Sequence, residues 1–82
     1  MAKTMEREAR IKKIVMDVAK KERLPSADES LFDAGVLDSF ALADLVAALE
    51  REFKVSVPDQ DMRPRNFETL ATIDAYLERL GA

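Results

Sequence analysis

The chain has 82 residues, no cysteine, no histidine and a formal net charge of −3. This length corresponds to one domain, residues 1–82, whose apolar core has to hold the fold without disulfides or a zinc site. Residues 1–24 hold eight basic and four acidic residues, a net charge of +4, and residues 25–82 hold five basic and twelve acidic residues, a net charge of −7. The acidic portion argues against nucleic-acid binding, because phosphates require a basic surface. No apolar segment approaches the length of about 20 residues that membrane insertion requires, and no signal peptide is visible, so we expect a cytoplasmic protein.

The first predicted helix is marked by a single apolar stripe. Its spacing of i, i+3, i+4 and i+7 is that of one face of an amphipathic helix. Thr4 is the predicted N-cap, and the helix is predicted to end at Leu24, because the residue before Pro25 is disfavoured in the α region. Lysines and arginines flank the stripe and are predicted to form its solvated face. The stripe consists of Ile11, Ile14, Val15 and Val18.

Residues 25–38 form a connection without a sustained hydrophobic period. Gly35 is predicted to adopt a positive φ that other residues tolerate poorly. Long loops in small domains are usually functional or packed down by their own side chains. We therefore expect an ordered loop that presents Asp38 and Ser39 at a fixed place. Its predicted anchors are Leu31, Phe32, Val36 and Leu37.

The second predicted helix runs from Phe40 to Lys54, with Asp38 or Ser39 as its N-cap. One face follows the helical spacing of a buried stripe. The opposite face combines one aromatic residue, two small residues and one cation, a composition suited to transient contact with partner proteins. The buried stripe consists of Leu42, Leu45, Val46, Leu49 and Phe53, and the opposite face consists of Phe40, Ala43, Ala47 and Arg51.

Two further helices are predicted in the last third of the chain. A short one spans Asp59 to Met62 after Pro58, and the final one follows its N-cap Thr69 and stops at Gly81. The pattern as a whole predicts an all-α bundle of three longer helices and one short third helix, with a long ordered first loop. The apolar stripe of the final helix consists of Leu70, Ile73, Leu77 and Leu80.

Ser39 stands at the start of the second helix in a chain that offers it no catalytic base. A serine hydroxyl becomes a strong nucleophile only when a neighbouring base takes its proton, and the usual base is imidazole. Because the chain has no histidine, any chemistry on Ser39 is expected to be performed by another enzyme. The alternative interpretation is structural, because Ser and Asp are favoured N-caps, and the spacing alone favours the cap.

Other sites are not supported by the sequence. A calcium loop counted from Asp28 would place Phe32 and Ala34 at ligand positions and Ser39 at the position of the bidentate glutamate. Glu50 and Glu52 lie two residues apart on a helix and diverge, so they do not form a catalytic carboxylate pair. We therefore predict no metal site and no enzymatic activity.

The residues around Ser39 resemble the carrier-protein family, which includes acyl, peptidyl and D-alanyl carriers. The resemblance extends over nearly the whole chain and lies in the order of its features: a loop glycine, an apolar pair, Asp-Ser, a helix with Glu-x-x-Phe, and Val-Pro. These features fall on residues 31–40, Leu45, residues 49–53 and Val57-Pro58. The resemblance implies an acyl-carrier-protein-like four-helix bundle.

The resemblance also implies a prosthetic group and partners. A phosphopantetheinyl transferase, using coenzyme A and magnesium, would attach 4′-phosphopantetheine to Ser39, next to Asp38. The thiol of this arm would carry acyl or aminoacyl intermediates as thioesters from a loading enzyme to a synthase or transferase. The implied partner-binding residues are Phe40, Ala43, Asp44, Ala47, Glu50, Asp59 and Asp61, and the residues implied to line a buried cargo chain are Leu45, Val46, Leu49, Val57 and Leu70.

Departures from the family pattern narrow the type of carrier. Fatty-acid carriers usually have Leu after the serine and a strongly acidic second helix, whereas here Phe40 follows Ser39 and Arg51 interrupts the acidic face. Asp-Ser-Phe resembles D-alanyl carriers and stand-alone specialised carriers. We expect a monomeric carrier that serves a specialised pathway similar to fatty-acid or polyketide biosynthesis. The alternatives are a D-alanyl carrier for cell-envelope modification, or an unmodified helical interaction module.

Overall fold

A computed structural model describes the backbone of residues 2–82 and the side chains of residues 6–82. Every regular element in that range is helical, which confirms the predicted all-α class. The three α-helices are α1 (Ala2–Ala19), α2 (Ser39–Phe53) and α3 (Leu70–Arg79). Two 3₁₀ turns, Asp59–Asp61 and Pro64–Asn66, lie between α2 and α3.

The core is built where the apolar stripes of the three α-helices meet. Helix α1 packs against both α2 and α3, and the connecting segments add side chains that close the core. The predicted stripes are confirmed, although Ile14, Val18, Phe53 and Leu80 are only partly buried. The buried core residues are Ile11, Val15, Leu31, Val36, Leu37, Leu42, Leu45, Val46, Leu49, Val57, Phe67, Leu70, Ile73, Tyr76 and Leu77.

The predicted limits of α1 were wrong at both ends. The helix begins at Ala2, so Thr4 lies inside it rather than at its N-cap, and the Thr4 side chain lies outside the described residues. The helix ends at Ala19, five residues before Leu24. Lys20 adopts the left-handed conformation with φ 57°, and the Lys21 N–H donates to the Met16 carbonyl at 3.0 Å. This is the hydrogen bond of a Schellman motif, which ends a helix before any proline is reached.

The short helix predicted over Asp59–Met62 is a 3₁₀ turn rather than an α-helix. Pro58 and Pro64 enclose only five residues, and a segment of that length forms too few hydrogen bonds to offset the cost of helix nucleation. Met62 already has ψ 65°, outside the helical region. The turn is instead held by its neighbours, because the Asn66 side-chain amide donates to the Asp61 carbonyl at 2.8 Å.

A buried arginine in α1 binds residues of α3 and of the segment that follows it. The Arg7 guanidinium donates to the Asp74 carboxylate at 2.6 Å and to the Ala82 carbonyl at 2.9 Å. Its hydrogen bond to Asp74 raises the pKa of Arg7 above its ordinary value. Buried charges are tolerated when they are paired in this way, so the contact fixes α1 against α3.

Candidate functional site

Ser39 is the first residue of α2, and Asp38 is its N-cap. Asp38 is extended, with φ −140°, and its Oδ1 accepts a hydrogen bond from the Ala41 N–H at 2.8 Å. The Asp38 carbonyl accepts from the Leu42 N–H, also at 2.8 Å. Of the two predicted caps, Asp38 therefore takes the role, and the exposed side chain of Ser39 is not used to start the helix.

The first loop holds this helix start in place through its own backbone. The Val36 and Leu37 N–H groups both donate to the Leu31 carbonyl, at 2.8 and 3.1 Å, and the Leu31 N–H donates to the Glu68 carbonyl at 2.7 Å. Gly35 has φ 76°, which confirms the predicted positive φ and lets the chain reverse before Val36. The loop is therefore fixed to the segment that precedes α3, and it delivers Asp38 and Ser39 to a defined position.

At the start of α2, free backbone hydrogen-bond donors lie beside the Ser39 hydroxyl, which has no hydrogen-bonded base among the described residues. Within the described residues, the backbone N–H groups of Ser39 and Phe40 and the Ser39 hydroxyl have no hydrogen-bond partner. The Asp38 carboxylate accepts the Ala41 N–H through Oδ1, and within the described residues it forms no hydrogen bond with the Ser39 hydroxyl. This arrangement favours a negative group at the helix start but does not activate the serine.

The predicted partner residues on α2 share one exposed face. Phe40 is 85% exposed, so its aromatic ring is open to contact with another protein. Ala43, Asp44 and Ala47 follow it on the same exposed side of the helix. The geometry thus brings these four residues together beside Ser39, and their binding role remains a prediction.

Two of the acidic residues predicted to bind partners are engaged inside the molecule. The Glu50 carboxylate is half-buried and accepts the Val57 N–H at 2.8 Å. The Asp61 carboxylate is half-buried and accepts the Tyr76 hydroxyl at 2.8 Å. Asp59, by contrast, is exposed, so the acidic surface near α2 is smaller than the sequence indicates.

Tyr76 is a buried residue that the sequence reasoning missed, and its hydroxyl holds Asp61. Its side chain is buried in an edge-to-face contact with Phe67, with ring centroids 5.4 Å apart. Burial, followed by the hydrogen bond to Asp61, raises the pKa of Tyr76 to about 12. A signal was present: Tyr76 lies three residues after Ile73 on the buried stripe, and a buried tyrosine hydroxyl needs a polar partner.

The five residues predicted to line a cargo chain are all buried in the core. Their side chains pack against one another and against the rest of the core cluster, and Leu70 also lines two clefts beside α1. Whether they line a cargo chain remains a prediction. The residues are Leu45, Val46, Leu49, Val57 and Leu70.

Two further properties concern the described residues alone. They contain no group of three or more Asp, Glu, His or Cys side chains placed to bind a metal ion. None of the described helices combines the length and the hydrophobicity that crossing a membrane requires.

Comparison with known proteins places the chain in a family. Residues 9–80 match the model of the family described as "Phosphopantetheine attachment site". The chain is 42% identical over 52 residues to a probable acyl carrier protein, PigG, of a Serratia species, an alignment that covers 63% of this chain and 60% of that protein. It is 40% identical over 53 residues to the D-alanyl carrier protein of Streptococcus pyogenes serotype M5, covering 65% of this chain and 67% of that protein.

The chain therefore belongs to the phosphopantetheine attachment site family, and the predicted carrier-protein resemblance is confirmed. Its cofactor is accordingly covalently attached 4′-phosphopantetheine. The chain spans less than two thirds of the length of the Serratia relative.

Proposed function

We propose that Ser39 is the residue to which 4′-phosphopantetheine is attached, and that the chain is a non-catalytic carrier of acyl thioesters. The observation that carries the proposal is the exposed serine at the start of α2 within the matched residues 9–80. The chain has three other serines, Ser26, Ser30 and Ser56, and each lies outside the α-helices. Ser30 is half-buried, and its hydroxyl accepts the Asp33 N–H at 3.2 Å.

The residues around Ser39 fit a phosphodiester. The unpaired N–H groups of Ser39 and Phe40 and the positive end of the α2 dipole favour the negative charge. The exposed hydroxyl is open to an enzyme that supplies the base the chain lacks. In the proposed reaction, the Ser39 oxygen forms a bond to the phosphorus next to pantetheine in coenzyme A, the adenosine bisphosphate portion leaves, and the transferase accepts the hydroxyl proton.

The proposed partners are a phosphopantetheinyl transferase, an acyl-loading enzyme and a downstream synthase or transferase. We propose that they contact the exposed α2 face, namely Phe40, Ala43, Asp44 and Ala47, together with exposed Asp59. The residues 59–66, with their two 3₁₀ turns, would then take the position of the short third helix of a four-helix carrier fold. A single domain over residues 1–82, a monomeric state and a cytoplasmic location remain predictions.

Intact-mass analysis tests the attachment site. The purified chain is incubated with coenzyme A, magnesium and a broad-specificity phosphopantetheinyl transferase. We expect the mass to rise by one phosphopantetheine in the wild type and in Ser56→Ala, a matched control at another exposed serine. We expect no change in Ser39→Ala. Modification that persists in Ser39→Ala, or no modification of the wild type, would refute the proposal.

A loading assay tests the cargo class. The modified chain is offered to a malonyl transferase in one reaction and to an amino-acid-adenylating enzyme with D-alanine in another. The proposal expects a malonyl thioester that hydroxylamine releases. Loading with D-alanine alone would instead assign the chain to cell-envelope modification.

A further inference from the structure

Two clefts lie side by side along α1, and they share Lys12 and Leu70 in their linings. The larger, of about 320 Å³, is floored by the apolar side chains of Met16, Leu24 and Pro25 together with Leu70. The smaller, of about 140 Å³, continues past Ile11 toward α3. We call the two together the α1 groove. Its lining comes from α1, the first loop and α3, so it is separate from the α2 face beside Ser39.

The rim of the larger cleft is cationic. Lys12 and Arg23 are exposed there, and neither forms an ion pair within the described residues. Glu22 is the acidic residue in this lining. Exposed Lys13 and Lys21 add positive charge on the same segment without lining either cleft.

The far end of the groove carries no excess of positive charge. The smaller cleft is lined by Glu8 and Asp74, and Asp74 is already neutralised by Arg7 at 2.6 Å. Lys12 lines both clefts and offsets Glu8 in the smaller one, whereas Lys12 and Arg23 together outnumber Glu22 in the larger one and leave it net positive. An occupant with an acidic group is favoured at the Arg23 end, where the larger cleft and its apolar lining also lie.

We propose that the α1 groove is a second docking site, and that it binds an acidic segment of a partner protein whose apolar side chain enters the larger cleft. The apolar floor would supply affinity, and the cationic rim would select carboxylates and orient the segment. The exposed Lys13 and Lys21 on the same segment support this choice, because they add positive charge near the rim formed by Lys12 and Arg23. A partner held at the groove would leave Ser39 and the α2 face free for other enzymes.

A titration followed by ¹⁵N NMR tests the proposal on the whole chain. The probe is an acetylated and amidated hexapeptide, Glu-Glu-Leu-Phe-Glu-Glu, and its counterpart is Lys-Lys-Leu-Phe-Lys-Lys. We expect the acidic peptide to shift the amide signals of Met16, Leu24 and Leu70 with a Kd in the millimolar range, as for a small interface. The basic peptide should bind with a Kd roughly five-fold higher or more, and added salt should weaken the binding of the acidic peptide.

Two charge-reversal variants distinguish binding at the groove from attraction by the overall charge of the protein. Lys12→Glu/Arg23→Glu should raise the Kd of the acidic peptide by roughly five-fold or more, because two carboxylates that repel the peptide replace the two cations of the rim. Lys13→Glu/Lys21→Glu makes the same change in net charge outside the groove and should alter Kd by less than about two-fold. Thermal unfolding of each variant checks that the fold is retained.

Three outcomes would overturn the proposal. The first is an absence of binding, or equal binding of the two peptides. The second is that the amide shift changes map to α2, or that the two charge variants change the Kd of the acidic peptide equally. The third is the same shifts on concentrating the free protein, which would make a second copy of this chain the occupant. None of these results bears on modification of Ser39, so the proposed function is tested separately.

Discussion

The hydroxyl of Tyr76 should measurably stabilise the segment that carries Asp59 and Asp61. Tyr76→Phe keeps the buried ring and its contact with Phe67 but removes the donor that lies 2.8 Å from the Asp61 carboxylate. A hydrogen bond to a charged acceptor contributes about 1.5–3 kcal/mol. Because Asp61 is only half-buried and water replaces part of the lost bond, we expect the free energy of unfolding at neutral pH to fall by about 1.5 kcal/mol.

The same tyrosine should make the fold sensitive to alkaline pH. Burial and the bond to Asp61 raise the pKa of Tyr76 from 10.0 to about 12, so the folded state retains the proton that the unfolded state loses. The stabilisation is complete below pH 10 and is lost as the pH rises through about 12. At pH 11, the linkage relation gives a loss of about 1.4 kcal/mol relative to neutral pH.

The assay is unusually direct because the chain has one tyrosine and no tryptophan. The tyrosinate absorbance of the native protein should titrate with a midpoint near 12. Urea unfolding of the wild type should show the extra loss of about 1.4 kcal/mol at pH 11, and Tyr76→Phe should not, since the other titrating groups are common to both proteins. Asp61→Asn should lower the midpoint only in part, because burial is the larger cause. A native midpoint near 10, or the same pH dependence in both proteins, would refute this reasoning.

Three further changes test the helix end, the buried ion pair and the exposed aromatic. Lys54 has φ 55°, so Lys54→Gly should raise the free energy of unfolding by about 1 kcal/mol, whereas Lys13→Gly inside α1 should lower it by about 1 kcal/mol in the same urea titration. Arg7→Met should lower it by about 2 kcal/mol, because the partly buried Asp74 carboxylate loses a charged hydrogen-bond partner; a loss below about 0.5 kcal/mol would contradict this. Phe40→Ala should lower the kcat/KM of phosphopantetheine transfer by roughly ten-fold without changing stability, and Met62→Ala should leave it nearly unchanged.

The features that the sequence predicted well are those set by local rules. The 3.6-residue period places Leu45 and Leu49 in the core, and the starts of α2 and α3 follow from capping chemistry. Thr69 Oγ1 accepts the Thr72 N–H at 2.9 Å, as Asp38 does for the Ala41 N–H. Gly81, with φ 88°, ends α3 as predicted. In each case the residue type and its neighbours within four positions carry the information.

The features that the sequence did not predict depend on contacts or on an unusual residue at a helix end. All three α-helices close with the same type of hydrogen bond, but α1 and α2 place Lys20 and Lys54 in the left-handed position where glycine is expected. A lysine gives no local stop signal. The engagement of Glu50 and Asp61 was also hidden, because their partners lie 7 and 15 residues away. A count of acidic residues could not reveal that these two carboxylates accept hydrogen bonds within the fold.

Different residues position Ser39 and form the exposed surface beside it, so the surface can vary while the fold stays the same. The position of the serine is set by backbone hydrogen bonds of Leu31 and by the Asp38 cap, none of which involves the exposed face of α2. Phe40 contributes little to the core at 85% exposure, so its identity is unconstrained by folding. Changes on that face therefore cost the protein little stability, while they alter the surface that an approaching enzyme meets. The Phe40 side chain, one residue from the proposed attachment point, is where such a change has the most direct effect on recognition.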